Sequence, residues 1–160
     1  MFTEQEKKQI DETYARLNAS AEELYEFVLE YNKYMYQARD YGNGDLVRMV
    51  EAHTLAIIDD HPGISVSDVA KVWKRTKGTV SVNLSALEER GYIRREKDAQ
   101  NARISHLYLT ESGQELSTLH KKHDNFEIVE TRNLLLEHCS QEELDTFYRV
   151  VHLYLGLLRG

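Results

Sequence analysis

Two groups of residues in this 160-residue chain have the types and spacing to do chemistry. The first is a run of hydrogen-bond donors: Arg75, Thr76, Lys77, Thr79, Ser81 and Asn83, with Gly78 among them. Guanidinium, ammonium and hydroxyl groups suit phosphate oxygens, and an Asn carboxamide can pair bidentately with the edge of adenine. The glycine lets the backbone come close to a partner. The second group is His120, His123 and Asp124. Offsets of three and four place them on one face of a helix, and His-x-x-His is adequate spacing for a metal-ligand pair. A solvated polar stripe accounts for them equally well, since Lys121 and Lys122 lie between the histidines.

Catalytic chemistry has little support. Lys74-Arg75-Thr76-Lys77-Gly78-Thr79 lacks the first glycine and the Gly-Lys-Ser/Thr order of a phosphate-binding loop, and no Gly-x-Ser-x-Gly elbow occurs. Cys139 stands beside His138, but adjacent helical residues point apart, so no nucleophile pair is expected there. A single cysteine excludes an internal disulfide framework and fits a reducing cytoplasm. No run of eighteen apolar residues suggests a membrane span, and the charged start, Glu4 to Lys8, does not read as a signal peptide.

The net charge of −7 argues against a polyanionic partner, but its distribution argues for one. Between Lys71 and Arg103 there are nine basic and four acidic residues, a surplus of five, which leaves −12 on the remainder. Attraction depends on charges within a Debye length, so a basic block on an acidic body is a usable phosphate footprint.

These residues need elements to position them. One proline and eight glycines predict a mostly helical chain. Apolar residues from Ile10 to Met35 recur at three- and four-residue steps, predicting a first helix over about 4–38. The breaker Gly42-Asn43-Gly44 follows, and Asp45 is a plausible N-cap for a second helix over 46–60, stopped by His61-Pro62-Gly63. Ser65 or Ser67 caps a short helix through Trp73. Thr76 caps another, whose Val80, Leu84 and Leu87 are expected to face Val69, Val72 and Trp73, with Gly91 at its stop. This pair has the spacing of a helix-turn-helix, in which the front of the second helix enters the major groove. Tyr92–Arg95 and Ser105–Leu109 then read as short strands around a polar loop. Two strands with a basic loop describe a wing, with Arg94, Arg95, Lys97 and Arg103 as its contacts and Arg103 the candidate for the minor groove. Thr110 begins a long helix through Leu136, and the capping box Ser140-Gln141-Glu142-Glu143 opens the last one. The expected fold is mainly α with a small β-wing.

Ile64 to Ala70, Thr79-Val80-Ser81, Leu87 to Arg95, Asn101-Ala102-Arg103 and Leu109-Thr110-Glu111-Ser112-Gly113 together resemble the MarR family of bacterial regulators. The resemblance implies a winged helix-turn-helix at 46–110, flanked by dimerisation helices at 1–45 and 111–160. It implies a homodimeric, cytoplasmic repressor on a pseudo-palindromic operator of double-stranded DNA, with no required cofactor. The rival reading is a winged-helix module for protein contact. Two positions depart from the family: Val82 stands where it often has arginine, and Asn101 where its wing has aspartate. Family members often bind a small effector, and Tyr25, Tyr31, Tyr34, Tyr36 and Tyr41 could line such a pocket or simply pack. One branch senses zinc with a histidine near the middle of the second helix, a place His53 occupies here. That reading sets His53 with His120 and His123, with Asp124 on the same helix face, and would take a fourth ligand from a first-helix carboxylate such as Glu23, Glu26 or Glu30.

Overall fold

The computed structural model describes residues 2–101 and 104–160. Helix α1, Glu4–Tyr36, opens with a capping box: Thr3 Oγ1 accepts from the Glu6 N–H, and the Glu6 carboxylate accepts from the Thr3 N–H at 2.7 Å. Beyond α1 the chain does not pass straight into a second helix. Strands β1, Ala38–Asp40, and β2, Leu46–Arg48, form an antiparallel hairpin, with Arg39 opposite Val47. Asp40 Oδ1 accepts from the N–H groups of Gly42 (2.7 Å) and Gly44 (3.0 Å), which closes the turn.

Helix α2 therefore spans Met49–Asp60, three residues shorter than expected. Asp45 does not cap it. The Tyr92 hydroxyl donates to Asp45, and the Arg90 guanidinium pairs with it at 3.3 Å. Arg48 holds the N-cap position, and its N–H donates to the Glu51 carboxylate at 2.9 Å. A further short strand, β3 (Ile64–Ser65), precedes α3 (Val66–Val72) and α4 (Lys77–Glu89). Strands β4, Ile93–Lys97, and β5, Ser105–Leu109, form the wing, and β5 is central in the order β3-β5-β4. Helices α5, Glu111–Leu136, and α6, Gln141–Arg159, follow, capped by Thr110 and Ser140 as the sequence predicts.

The core gathers Val47, Leu55, Ile58, Val69, Leu84, Leu87, Ile93, Leu107 and Leu116, all nearly inaccessible to water. α2 lies at its centre, packed along the first half of α5. Val80, Leu84 and Leu87 face inward against Val69 as expected, but Val72 is 55% exposed. A seven-residue helix has room for one buried face, and Val69 and Ala70 occupy it.

Candidate nucleic-acid interface and histidine cluster

The front of α4 is built by its cap. Thr76 Oγ1 accepts from the Thr79 N–H at 3.2 Å, and the two hydroxyls lie 2.9 Å apart. The turn from α3 is tight: Lys74 adopts φ of 49°, and the Arg75 N–H donates to Ala70 O at 3.0 Å. A non-glycine residue with positive φ stores strain, and here it sets the angle between the two helices. Arg75, Thr76, Lys77, Gly78 and Thr79 are all exposed, and Ser81 and Asn83 half-exposed. Among the described residues, the nearest atom to a Cβ placed on Gly78, apart from its chain neighbours and its own helix backbone, would be Thr76 Oγ1 at 3.9 Å, so packing does not require this glycine. Val82 is 71% exposed on the outward face, opposite Val80 and Leu84.

The wing basics divide by strand alternation. Arg95 turns toward α4, where its guanidinium meets Glu88 at 3.0 Å and Ser85 Oγ at 3.2 Å. It braces the wing against α4. Arg94 lies over the Tyr108 ring at 4.6 Å and pairs with Glu96. Lys97 donates to Ser105 Oγ at 3.3 Å. Arg103 lies outside the described residues. Between α3, α4 and the wing runs a cleft of about 650 Å³ whose lining includes Lys71, Lys77, Arg95 and His106. Asp68 is the acidic residue in that lining, and it pairs with Lys71 at 2.7 Å. Not all of the basic block faces outward. Arg90 is turned to Asp45 and to Leu46 O.

The histidines do not form a solvated stripe. His120 is 1% exposed and sits between α2 and α5. Asp124 Oδ2 lies 3.0 Å from His53 Nε2 and 3.4 Å from His120 Nε2. One donor atom from each of the three falls within 4.8 Å of the others. Tyr41 lies edge-on over His120 and His123, with centroid distances of 4.9 and 5.1 Å. Burial pushes the His120 imidazole down to about 4, against the pull of Asp124, so at neutral pH it is the neutral base that binds metals. Among the described residues its Nδ1 has no hydrogen-bond partner. His123 belongs to a second group, with Asp124 and Glu127. Neither group includes Glu23, Glu26 or Glu30.

Sequence reasoning missed the surround of this cluster. Glu127 accepts from the Tyr34 hydroxyl and lies 3.4 Å from Arg39, whose guanidinium covers the Tyr34 ring at 4.1 Å. Arg39 comes from the unforeseen hairpin, so no local pattern pointed to it. Of the five tyrosines taken as a group, Tyr41 leaves the others: it is buried past the end of α1, while Tyr31 stacks with Phe27 on one side and Tyr34 on the other along the helix.

A helix pair with an exposed polar front, a strand pair braced against it and a basic cleft between them define a winged helix-turn-helix regulator. The model of the MarR family matches residues 45–104, from the hairpin's second strand through β4 and up to the start of β5. A Bacillus subtilis HTH-type transcriptional regulator, YhjH, is 28% identical over 123 residues, covering 76% of this chain and 70% of that one. Streptococcus pneumoniae FabT, solved in complex with DNA, is 26% identical with a TM-score of 0.64, covering 91% of this chain and 97% of that one. Staphylococcus aureus MepR, solved as a DNA complex, is 29% identical with a TM-score of 0.60, covering 69% and 79%. Over residues 45–104 the chain is thus similar to the MarR family of transcription regulators.

Proposed function

We propose that this chain is a homodimeric repressor that reads operator DNA with the front of α4 in the major groove and the wing along the backbone. One observation carries the reading: the capped, exposed front of α4 and the braced wing border a single basic cleft. Lys77 and Lys71 serve phosphates there, and Ser81 and Asn83 reach for base edges. The dimer is supported by apolar residues left in water at both ends of the chain. Tyr14 and Leu17 on α1 and Leu157 and Leu158 on α6 are each more than half exposed. A two-fold dimer calls for two half-sites about 34 Å apart. No helix among the described residues is long and apolar enough to cross a membrane, and on this reading the protein works in the cytoplasm, where its operator lies. The test is selection of bound DNA from a random pool, followed by anisotropy titration. A two-fold-symmetric consensus is expected. No enrichment, or binding unaffected by Lys77→Glu, would overturn the reading.

A second reading concerns control. His53, His120 and Asp124 offer two imidazoles and a carboxylate at one point, which fits a zinc ion with one position left open. His120 Nε2 and His53 Nε2 both lie against the one Asp124 oxygen, so the three groups already converge. Zinc there would tie α5 to α2, against which the helix-turn-helix packs. Calorimetric titration of the apoprotein with zinc is the direct check, and no binding tighter than micromolar would end this reading.

A further inference from the structure

His106 lies on β5, opposite Ser65 of β3 on one side and Glu96 of β4 on the other. Its ring makes two contacts of the same kind. Nδ1 is 2.7 Å from the carbonyl oxygen of Gly63, in the turn before β3. Nε2 is 3.0 Å from Asp98 Oδ2, just past the end of β4. A carbonyl and a carboxylate are both acceptors, so each ring nitrogen must carry a proton for both bonds to form. Only the imidazolium has two N–H groups.

The other oxygen of Asp98 is also engaged. Oδ1 accepts from the N–H groups of Gln100 (2.9 Å) and Asn101 (2.8 Å), so this one carboxylate folds the first residues of the wing loop. The chain Gly63–His106–Asp98–Asn101 thus runs from the base of the helix-turn-helix into the wing. His106 also lines the basic cleft.

We propose that His106 is the positioning residue of the wing, and that gain of its second ring proton strengthens DNA binding as pH falls through the neutral range. The inference rests on the DNA-binding reading above. The proton acts twice: it completes the tether that holds the wing loop, and it adds a positive charge where phosphates pass. The surroundings favour it. The bonds to Asp98 and to the Gly63 carbonyl raise the His106 imidazole above the ordinary histidine range, against a smaller opposing effect of burial. The charged groups that face it are Asp98 from the loop, Glu96 and Arg95 from β4, Asp68 and Lys71 from α3, and Lys77 from α4. Glu96 is already paired with Arg94, Arg95 with Glu88, and Asp68 with Lys71, which leaves Asp98 as its direct partner.

The experiment is a DNA titration of the full-length dimer at about pH 6 and about pH 8.5, either side of the ordinary histidine value. The probe is the duplex selected from the random pool, at fixed salt. Wild type is expected to bind severalfold tighter at the lower pH. His106→Gln keeps one donor but not the charge, and is expected to bind weakly at both values with the pH slope removed. Asp98→Asn should weaken binding and shrink the slope. A slope equal in wild type and His106→Gln, with both binding DNA, would overturn the inference and leave the DNA-binding reading intact. If wild type selected no DNA at either pH, the premise itself would fall. Should His106→Gln not fold, ring ¹⁵N spectra of the wild type decide. Two protonated ring nitrogens at neutral pH are expected for His106, and a neutral ring there would overturn the proposal.

Discussion

The indole N–H of Trp73 donates to Thr54 Oγ1 at 3.0 Å, and the Thr54 hydroxyl donates in turn to the Val50 carbonyl at 2.7 Å. Trp73 ends α3, and Thr54 is buried on α2, one residue from His53. One hydroxyl therefore latches the helix-turn-helix to the helix that carries the candidate metal ligand. Thr54→Val keeps the shape and removes the acceptor, leaving an indole N–H unpaired. A loss of about 1–3 kcal/mol is expected in urea denaturation. Trp73 is the one tryptophan of the chain, so its emission reports the latch directly.

Gly113 answers a different constraint. A Cβ there would stand 1.9 Å from the carbonyl oxygen of Tyr92, which also accepts from the Thr110 N–H at 3.0 Å. Both are backbone, so neither can rotate away. Gly113→Ala should push α5 off the start of the wing, at a cost of about 1–3 kcal/mol. A melting temperature unchanged from wild type would show that the approach is looser than it looks.

Lys77 is exposed at the first position of α4, with no side-chain partner among the described contacts to release. Lys77→Ala should weaken binding about equally on every DNA sequence and lower the salt slope by about 1. Asn83→Ala should instead flatten the preference at one base pair and leave the slope alone. Measuring both variants against salt separates phosphate contact from base readout.

Zinc affinity offers a check on the histidine cluster. His53→Ala, His120→Ala and Asp124→Ala each remove a proposed ligand, so on the zinc reading each should weaken zinc binding by at least about 100-fold, the upper range for loss of a mere supporting contact. His123→Ala should have a smaller effect, since His123 belongs to the group with Glu127. Equal effects at His123 and His120 would place the ion elsewhere.

Asp59 clamps α2 to α5 by accepting from Gln114 (2.7 Å), Ser117 (3.0 Å) and Lys121 (2.7 Å). Burial alone would raise its carboxyl, but the bonds from Lys121, Gln114 and Ser117 outweigh it and hold the group below the usual range. A folded value below the unfolded one means the stabilisation is complete above the unfolded value, about 3.9, and is lost as pH falls through the folded one. Asp59→Asn should therefore cost about 1–2 kcal/mol at neutral pH, discounted for the partial exposure of Lys121. The gap to wild type should close in denaturation curves taken at acid pH.

Much of this molecule was legible in the sequence because its signals are short-range. Thr76, Thr110 and Ser140 begin their helices where expected, since a cap bonds to an N–H only three residues away. Strand β5 was found at Ser105–Leu109 from its own alternation. The exposed polar residues at the front of α4 follow from that same cap, which fixes where the helix starts and so which side chains lead it. The hairpin was not legible, because three-residue strands carry no period and Leu46-Val47-Arg48 suits a helix as well as a strand. Its pairing with Ala38–Asp40 claimed those residues, and contacts from Arg90 and Tyr92 claimed Asp45, from 45 and 47 positions away. The histidines show the same division. Their spacing on α5 was written in the chain, but whether that face met water or α2 depended on the packing of two helices. Only that packing buried His120 and carried His53 to Asp124, because proximity across a core is set by which faces meet and not by distance along the chain.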